Sequence, residues 1–164
     1  MDKTLGTLFH ETLKDVYYAE RKILKALPKM ARGANSPELE TAFLAHRQET
    51  EGQVERLQMI FEIIGERAQG KTCDAIEGIL AEGDEVLGTY KGAPALDAGL
   101  VAAAQAVEHY EIARYNTLKA WATELGLPDV AELLDRTLAE EVAADLLLSE
   151  LAGRTIDRAA IAAE

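Results

Sequence analysis

Apolar residues recur every three or four positions along most of the chain, which is the spacing of one face of an α-helix. Strand-type patterns are few, and alanine, leucine, glutamate and lysine recur throughout, as helices prefer. The pattern predicts four long helices, over about 3–32, 36–65, 95–125 and 128–152, and one short helix over about 73–87. The chain is therefore predicted to be all-α.

Several predicted helix ends carry residues that start or stop helices. Ser36 and Pro37 suit the N-cap and the first helical position of the second helix. Gly33 stops the first helix, and Pro28 is expected to kink or fray that helix's last turn. Gly153 is expected to end the last helix.

The lengths of the connections predict the topology. Short links join the first two long helices and the last two, so each pair is expected to be antiparallel. About 30 residues, including the short helix, separate the two pairs and can cross the bundle. We predict a ferritin-like four-helix bundle with one long crossover, formed by residues 1–153, followed by a loosely ordered C-terminal tail over 154–164.

Composition and charge exclude several classes of function. The 164 residues include 17 lysines and arginines against 29 aspartates and glutamates, which gives a net charge of −12. This sign disfavours nonspecific binding to nucleic acid and docking on anionic membranes. The single cysteine, Cys73, excludes an intramolecular disulfide and an all-thiolate zinc or iron–sulfur site.

Targeting signals are also missing from the sequence. No apolar stretch approaches the roughly 20 residues that a membrane span needs. The first residues lack the apolar core of a signal peptide, so we expect a cytoplasmic protein with no membrane partner.

Carboxylates interrupt the apolar face of every predicted long helix. Extrapolated at helical spacing, the inward positions include Glu20 on the first helix, Glu49 on the second, Glu108 and Glu111 on the third, and Glu141 and Asp145 on the fourth. The separation from Glu20 to Glu49 is 29 residues, and that from Glu111 to Glu141 is 30. The two halves therefore resemble a duplicated helical hairpin with acidic positions at matching heights.

Six carboxylates cannot all stay ionised in a low-dielectric core without compensation. Bound cations, protons or water could supply it, since few lysines and arginines lie on these faces. Acidic positions on four helices favour two bridged ions, and an oxygen-rich ligand set suits iron or manganese, with magnesium or calcium as alternatives. The sequence predicts two metal ions per chain. Iron is the preferred metal, and manganese or another divalent ion is the alternative.

Other side chains lie near the predicted cluster. His46 is interpreted either as a ligand or as a hydrogen-bonded core residue, and Gln53 as a side chain that orients a carboxylate. Tyr17, one turn before Glu20, either reaches the cluster or packs at the edge of the core. Tyr115 is interpreted as a packing residue.

Six segments together resemble a known family. They are LKDVYYAE (13–20), LPKM (27–30), HRQETEGQVERL (46–57), CDAIEG (73–78), VEHYEIA (107–113) and EEVAAD (140–145). The chain resembles the YciE/YciF-type ferritin-like proteins, a stress-associated bacterial group, from about residue 5 to residue 152. The group is similar in fold to rubrerythrin, which implies a four-helix bundle, an internal dinuclear site and a homodimer.

The sequence departs from the usual di-iron pattern. Ferritin-like di-iron enzymes supply Glu-x-x-His on two helices. Here the two histidine positions are Gly52 and Ala144, and polar side chains come one residue later, as Gln53 and Asp145. The predicted site thus lacks both usual imidazoles, and the chain lacks the cysteines of a rubredoxin-like electron donor.

Three hypotheses fit these residues. The first is a di-metal carboxylate protein of bacterial stress response, with redox chemistry on peroxide, oxygen or iron. Its ligands are Glu20, Glu49, Glu111 and Glu141, completed or bridged by Glu108 and Asp145. The second is a non-enzymatic, metal-stabilised helical dimer that acts by binding an unknown partner. The third is a metal-free scaffold whose inward acids are protonated or hydrated.

Overall fold

The computed structural model describes residues 3–153, 158 and 161–162. The helices are α1 (Leu5–Gly33), α2 (Pro37–Ile63), α3 (Asp74–Thr89), α4 (Leu96–Glu124) and α5 (Pro128–Leu151). The described residues contain no strand, so the predicted all-α class is confirmed. Most of the predicted tail, 154–164, lies outside the described residues. None of the described helices is long and apolar enough to cross a membrane.

Local signals account for the helix boundaries. At the start of α2 the Ser36 side chain accepts a hydrogen bond from the backbone N–H of Leu39, as expected of an N-cap. Pro28 lies inside α1, and the helix continues beyond it to its end. The expected fraying is not observed, because Met30 and Ala31 are buried after the proline and hold the last turn against the core.

A buried aspartate fixes the link between α1 and α2 against α4. The two carboxylate oxygens of Asp97 accept 2.7 Å hydrogen bonds from the backbone N–H groups of Asn35 and Ser36. These bonds satisfy two backbone donors of the link between α1 and α2. The first helical pair is therefore held in register with the second at this end of the bundle.

Side-chain contacts give the directions of the long helices. Arg56 of α2 donates to Thr137 of α5, whereas His46, ten residues earlier on α2, faces Glu141, four residues later on α5. The two helices are therefore antiparallel. In the long crossover between α2 and α4, α3 packs against α1 and α4. This arrangement is the predicted four-helix bundle with a short fifth helix.

Two apolar clusters fill the bundle, one on each side of a central polar layer. Phe43 and Leu100 belong to one cluster, and Leu57 and Leu118 belong to the other. On each long helix, buried polar residues lie between the members of the two clusters. The layer is therefore closed at both ends by apolar side chains, which exclude water and strengthen electrostatic interactions within it.

The packing of α3 on α4 depends on a close approach at Gly99. A Cβ atom added there would lie 2.7 Å from Cγ1 of Val86, a β-branched side chain with little rotamer freedom. We expect Gly99→Ala to lower the free energy of unfolding by about 1–2 kcal/mol, because overpacking exceeds the gain in helix propensity. Gly78→Ala on α3 meets nothing within 4 Å and is expected to raise it by about 0.5–1 kcal/mol.

Urea unfolding followed by circular dichroism measures both variants against the wild type. An equal gain in stability in the two variants would contradict this account of the α3–α4 contact.

Candidate metal centre

Four side chains of the polar layer converge from three helices. They are His46 from α2, Glu108 and Glu111 from α4, and Glu141 from α5, and all four are buried. One ligand atom from each lies within 4.8 Å of those of the other three. Two atoms bound to one ion at about 2.1 Å are at most about 4.2 Å apart. Small side-chain rotations would therefore bring several of these atoms onto one ion.

Glu20 adds a carboxylate from α1, so that every long helix contributes to the layer. Its side chain is fully buried, and Oε1 accepts a hydrogen bond from the Tyr115 hydroxyl. It lies close enough to Glu111 and Glu141 for the charges of the three groups to affect one another. The structure thus brings together four of the six predicted carboxylates, namely Glu20, Glu108, Glu111 and Glu141, and adds His46 to them.

Most ligand atoms of this group have no hydrogen-bond partner. Both oxygens of Glu111 and of Glu141, and one oxygen each of Glu20 and Glu108, are buried without one. Buried polar atoms in native proteins are nearly always paired. Carboxylate oxygens are the ligands that hard cations prefer. The donor set therefore fits a bound metal, which would supply the missing partners.

Burial and mutual repulsion raise the pKa of every glutamate in the group. Desolvation by burial, followed by the charge of Glu141, raises the pKa of Glu20 to about 8. Burial also raises the pKa of Glu108 to about 7 and places the pKa values of Glu111 and Glu141 well above the ordinary range. Without a cation, several of these groups hold protons at neutral pH, whereas a bound cation would favour the ionised forms.

His46 has its two ring nitrogens in different surroundings. Nδ1 lies 3.3 Å from Oε2 of Glu49, and Nε2 lies 3.1 Å from Oε1 of Glu108 and 3.6 Å from Oε2 of Glu141. Burial lowers the pKa of His46, but the hydrogen bond to Glu49 and the charges of Glu141 and Glu20 outweigh it and raise the pKa. A histidine held at one nitrogen with the other facing carboxylates is typical of metal ligands. The geometry favours the ligand interpretation of His46.

Glu49 does not lie inside the cluster. Its side chain is 48% exposed and contacts His46 of the cluster. The inward position on this turn belongs to Thr50, which is fully buried and about 100° further round the helix. The step of three residues from His46 to Glu49 places the carboxylate at the edge of the helix face. Its role as a ligand stays a prediction.

Asp145 lies at the edge of the layer on α5, with 21% of its side chain exposed. It accepts hydrogen bonds from Gln105 at 3.2 Å and from the His109 ring at 3.0 Å. These bonds hold its carboxylate against Gln105 and His109 of α4, and Asp145 is not among the four side chains that converge. Like that of Glu49, its role as a ligand stays a prediction.

A second set of polar side chains supports the cluster from the α2–α5 interface. Gln53 Nε2 donates to Oε2 of Glu140 at 3.1 Å, and Arg56 donates to Glu140 and, at 3.0 Å, to Thr137. This arrangement agrees with the interpretation of Gln53 as a side chain that orients a carboxylate.

Tyr17 has the core-edge position, one of the two that the sequence left open, whereas Tyr115 differs from its interpretation as a packing residue. Tyr17 packs edge-on against Phe61, with ring centres 5.5 Å apart, and its hydroxyl accepts a hydrogen bond from Gln58. It is a residue of the core edge. Tyr115, interpreted from the sequence as packing, is the tyrosine that contacts Glu20. Its position four residues after Glu111, on the same face of α4, is the signal that identifies it.

Comparison with known proteins identifies the family. The family model described as a domain of unknown function, DUF892, matches residues 4–161. The chain belongs to the DUF892 family. Protein YciF of Escherichia coli strain K12 is 41% identical to this DUF892 chain over 159 residues, which is 96% of each protein. The predicted resemblance to the YciE/YciF-type proteins is confirmed.

Solved structures agree with this DUF892 assignment. That of the E. coli stress protein YciF matches with a TM-score of 0.90 and 42% identity, over 95% of this chain and 99% of that one. YcfI from Rhodopseudomonas palustris matches with a TM-score of 0.87 and 46% identity, over 90% and 94% of the two chains. A Xanthomonas campestris protein, 21% identical with a TM-score of 0.74, covers 95% of this chain and 96% of its own and shares the fold.

Proposed function

We propose that the buried cluster is a two-metal carboxylate centre and that the protein acts with it in bacterial stress response. The observation that carries this proposal is the set of buried oxygen atoms without hydrogen-bond partners on glutamates from α1, α4 and α5, which face the buried His46 of α2. The E. coli relative YciF, described as a stress protein, supports the biological setting. We also propose a cytoplasmic location and a homodimer.

The proposed ligands are Glu20, His46, Glu108, Glu111 and Glu141. Four carboxylates and one imidazole form an oxygen-rich set, which suits iron or manganese. When bound, a pair of iron ions would supply the electrons for reducing peroxide or oxygen. If iron is instead the substrate, the bound iron would itself be oxidised.

The chain's own residues prepare the site in three ways. Tyr115 donates its hydroxyl hydrogen to Glu20 and holds that carboxylate in one orientation. Glu49 holds the imidazole of His46 at Nδ1, leaving Nε2 toward the cluster. The apolar clusters on both sides of the layer shield it from water along the bundle axis, which strengthens the attraction between the carboxylates and a cation.

Metal content per chain tests this proposal. The protein is loaded with Fe(II) or Mn(II) without oxygen, desalted and analysed by elemental mass spectrometry. We expect about two ions per chain, as in other ferritin-like carboxylate sites. Failure to retain any of these ions after loading would overturn the proposal and leave the metal-free scaffold.

A non-enzymatic, metal-stabilised dimer is the second candidate, because one exposed face of α5 is apolar. Val142 and Leu146, one turn apart on this helix, are 42% and 61% exposed. Such a stripe suits contact with another helix. Peroxide turnover by the iron-loaded protein would favour the redox function, whereas a chelator-sensitive melting temperature with no turnover would favour the dimer.

A further inference from the structure

A cavity of about 170 Å³ lies inside the bundle beside the acidic cluster. Its walls are largely apolar and include Ile23 of α1 and Phe43 of α2. His46, Glu49 and Glu108 line it as well and give it polar groups beside the cluster. The cavity therefore combines an apolar space with direct contact to the proposed metal ligands.

Small side chains create this space. Ala42 and Ala45 of α2 and Ala143 and Ala144 of α5 line the cavity. Ala45 and Ala143 are exposed, so the cavity reaches solvent between these two helices. Ala144 stands three residues after Glu141, where Glu-x-x-His sites carry an imidazole. A methyl group at that position leaves volume that an imidazole would fill.

The size of the cavity limits what it can hold. An apolar cavity of about 150 Å³ accommodates benzene, whereas drug-sized ligands need about 300 Å³ or more. A molecule of roughly six to ten heavy atoms fits, and a nucleotide does not.

The polar lining atoms define the second property of the ligand. Among the polar lining residues, Oε2 of Glu108 is buried without a hydrogen-bond partner, and Nε2 of His46 lies 3.1 Å from Oε1 of the same glutamate. A small rotation of either side chain toward the cavity would let it bind one polar group of a ligand through an accepted or a donated hydrogen bond. Two of the three polar lining residues are glutamates, which offer no cation to pair with a carboxylate on the ligand, so an uncharged polar group fits best.

We infer that the cavity binds a small organic molecule with an apolar body and one uncharged O–H group, oriented with that group toward His46 and Glu108. The inference deepens the proposed function, because it names the class of molecule that would reach the metal centre. The binding itself depends only on residues of this chain.

The first experiment uses the metal-free protein and benzyl alcohol as the probe. Titration followed by NMR is expected to give a Kd of about 1 mM or below, an affinity within reach of a ligand of this size. Ala144→Leu and Ala42→Leu fill the cavity and are each expected to raise the Kd at least about tenfold. Ala139→Leu is the matched control, because Ala139 is exposed on α5 away from the cavity, and its Kd should change less than about twofold.

Absence of binding to the wild type, or unchanged binding in both cavity-filling variants, would overturn the inference. Circular dichroism verifies that each variant is folded. If one of them does not fold, the other decides.

The second experiment tests the orientation with Mn(II)-loaded protein, because this paramagnetic ion shortens the relaxation times of nearby protons. The CH₂ protons next to the hydroxyl of benzyl alcohol should relax faster than the proton at the far end of the ring. The reverse order would overturn the proposed orientation. If Mn(II) and Fe(II) are both not retained, the proposed function fails, while the titration of the metal-free protein still decides whether the cavity binds its ligand.

Discussion

Replacing Glu111 or Glu141 with alanine is expected to reduce metal retention from about two ions per chain to near zero. Each residue contributes two buried oxygens without hydrogen-bond partners, and each belongs to the group whose ligand atoms lie within 4.8 Å of one another. Removing one carboxylate takes away both a ligand and a negative charge. The remaining groups would then supply too few ligands and too little negative charge to retain a cation through desalting.

Elemental mass spectrometry after Mn(II) loading and desalting measures this loss. Glu132→Ala is the matched control, because Glu132 is exposed on the same helix as Glu141 and should leave metal content unchanged. Circular dichroism of the metal-free variants should show the helix content of the wild type, since the apolar clusters remain intact. Stoichiometric metal in both variants would show that the ligands lie elsewhere.

Glu49→Ala distinguishes a direct ligand from a supporting residue. Because the Glu49 side chain is 48% exposed and bonds to His46, we expect a weaker affinity for metal, not its abolition. Loss of a partner that orients a metal-binding histidine typically costs about 10- to 100-fold in affinity. Complete loss of metal would instead assign Glu49 to the ligands, as the sequence predicts.

The positions of the helices could be read from the sequence because apolar residues repeat over many turns. A carboxylate such as Glu20 or Glu111 lies between apolar residues on both sides, so the helix phase is fixed and the inward position follows. On α2 the central turns are polar, with His46, Thr50 and Gln53 all buried. Hydropathy alone could not distinguish Glu49 from Thr50 as the inward residue there.

Long-range hydrogen bonds could not be predicted from the sequence pattern. Asp97 joins the α1–α2 link, and Tyr115 joins Glu20, through pairs that are 61 to 62 and 95 residues apart. The direction of the Asp145 side chain likewise depends on Gln105 and His109 of a neighbouring helix. Such contacts depend on how the helices are rotated relative to one another, which no repeat along one helix determines.

The stability of the metal-free protein is expected to rise as the pH falls from about 8 to about 4.5. The pKa of Glu20 is about 8 in the folded protein, against an ordinary value of 4.5. Between these two values the folded state binds more protons than the unfolded state, so the free energy of unfolding decreases as the pH rises. The stabilisation is fully present below pH 4.5 and is lost as the pH rises through about 8.

The expected change is large compared with the stability of a typical domain. Each unit of pKa difference corresponds to about 1.4 kcal/mol, so Glu20 alone accounts for roughly 5 kcal/mol over this range. Glu108, with a pKa of about 7, adds a change in the same direction at lower pH. Native domains are stable by only about 5–15 kcal/mol, so the metal-free protein should lose much of its stability in alkaline buffer.

Bound metal should reverse this dependence, because a cation binds the ionised carboxylates and competes with protons. The stabilisation provided by Mn(II) is therefore expected to grow from pH 5 to pH 8, and the melting temperatures of the loaded and metal-free protein should diverge over this interval. Differential scanning calorimetry of both forms at several pH values measures the divergence.

Glu20→Gln keeps the shape of the side chain but cannot ionise, so it should flatten the pH dependence of the stability of the metal-free protein. The exposed Glu62→Gln is the control and should not change this pH dependence. A metal-free protein that becomes more stable from pH 5 to pH 8 would contradict the raised pKa values of the cluster, and with them the idea that cations relieve its repulsion.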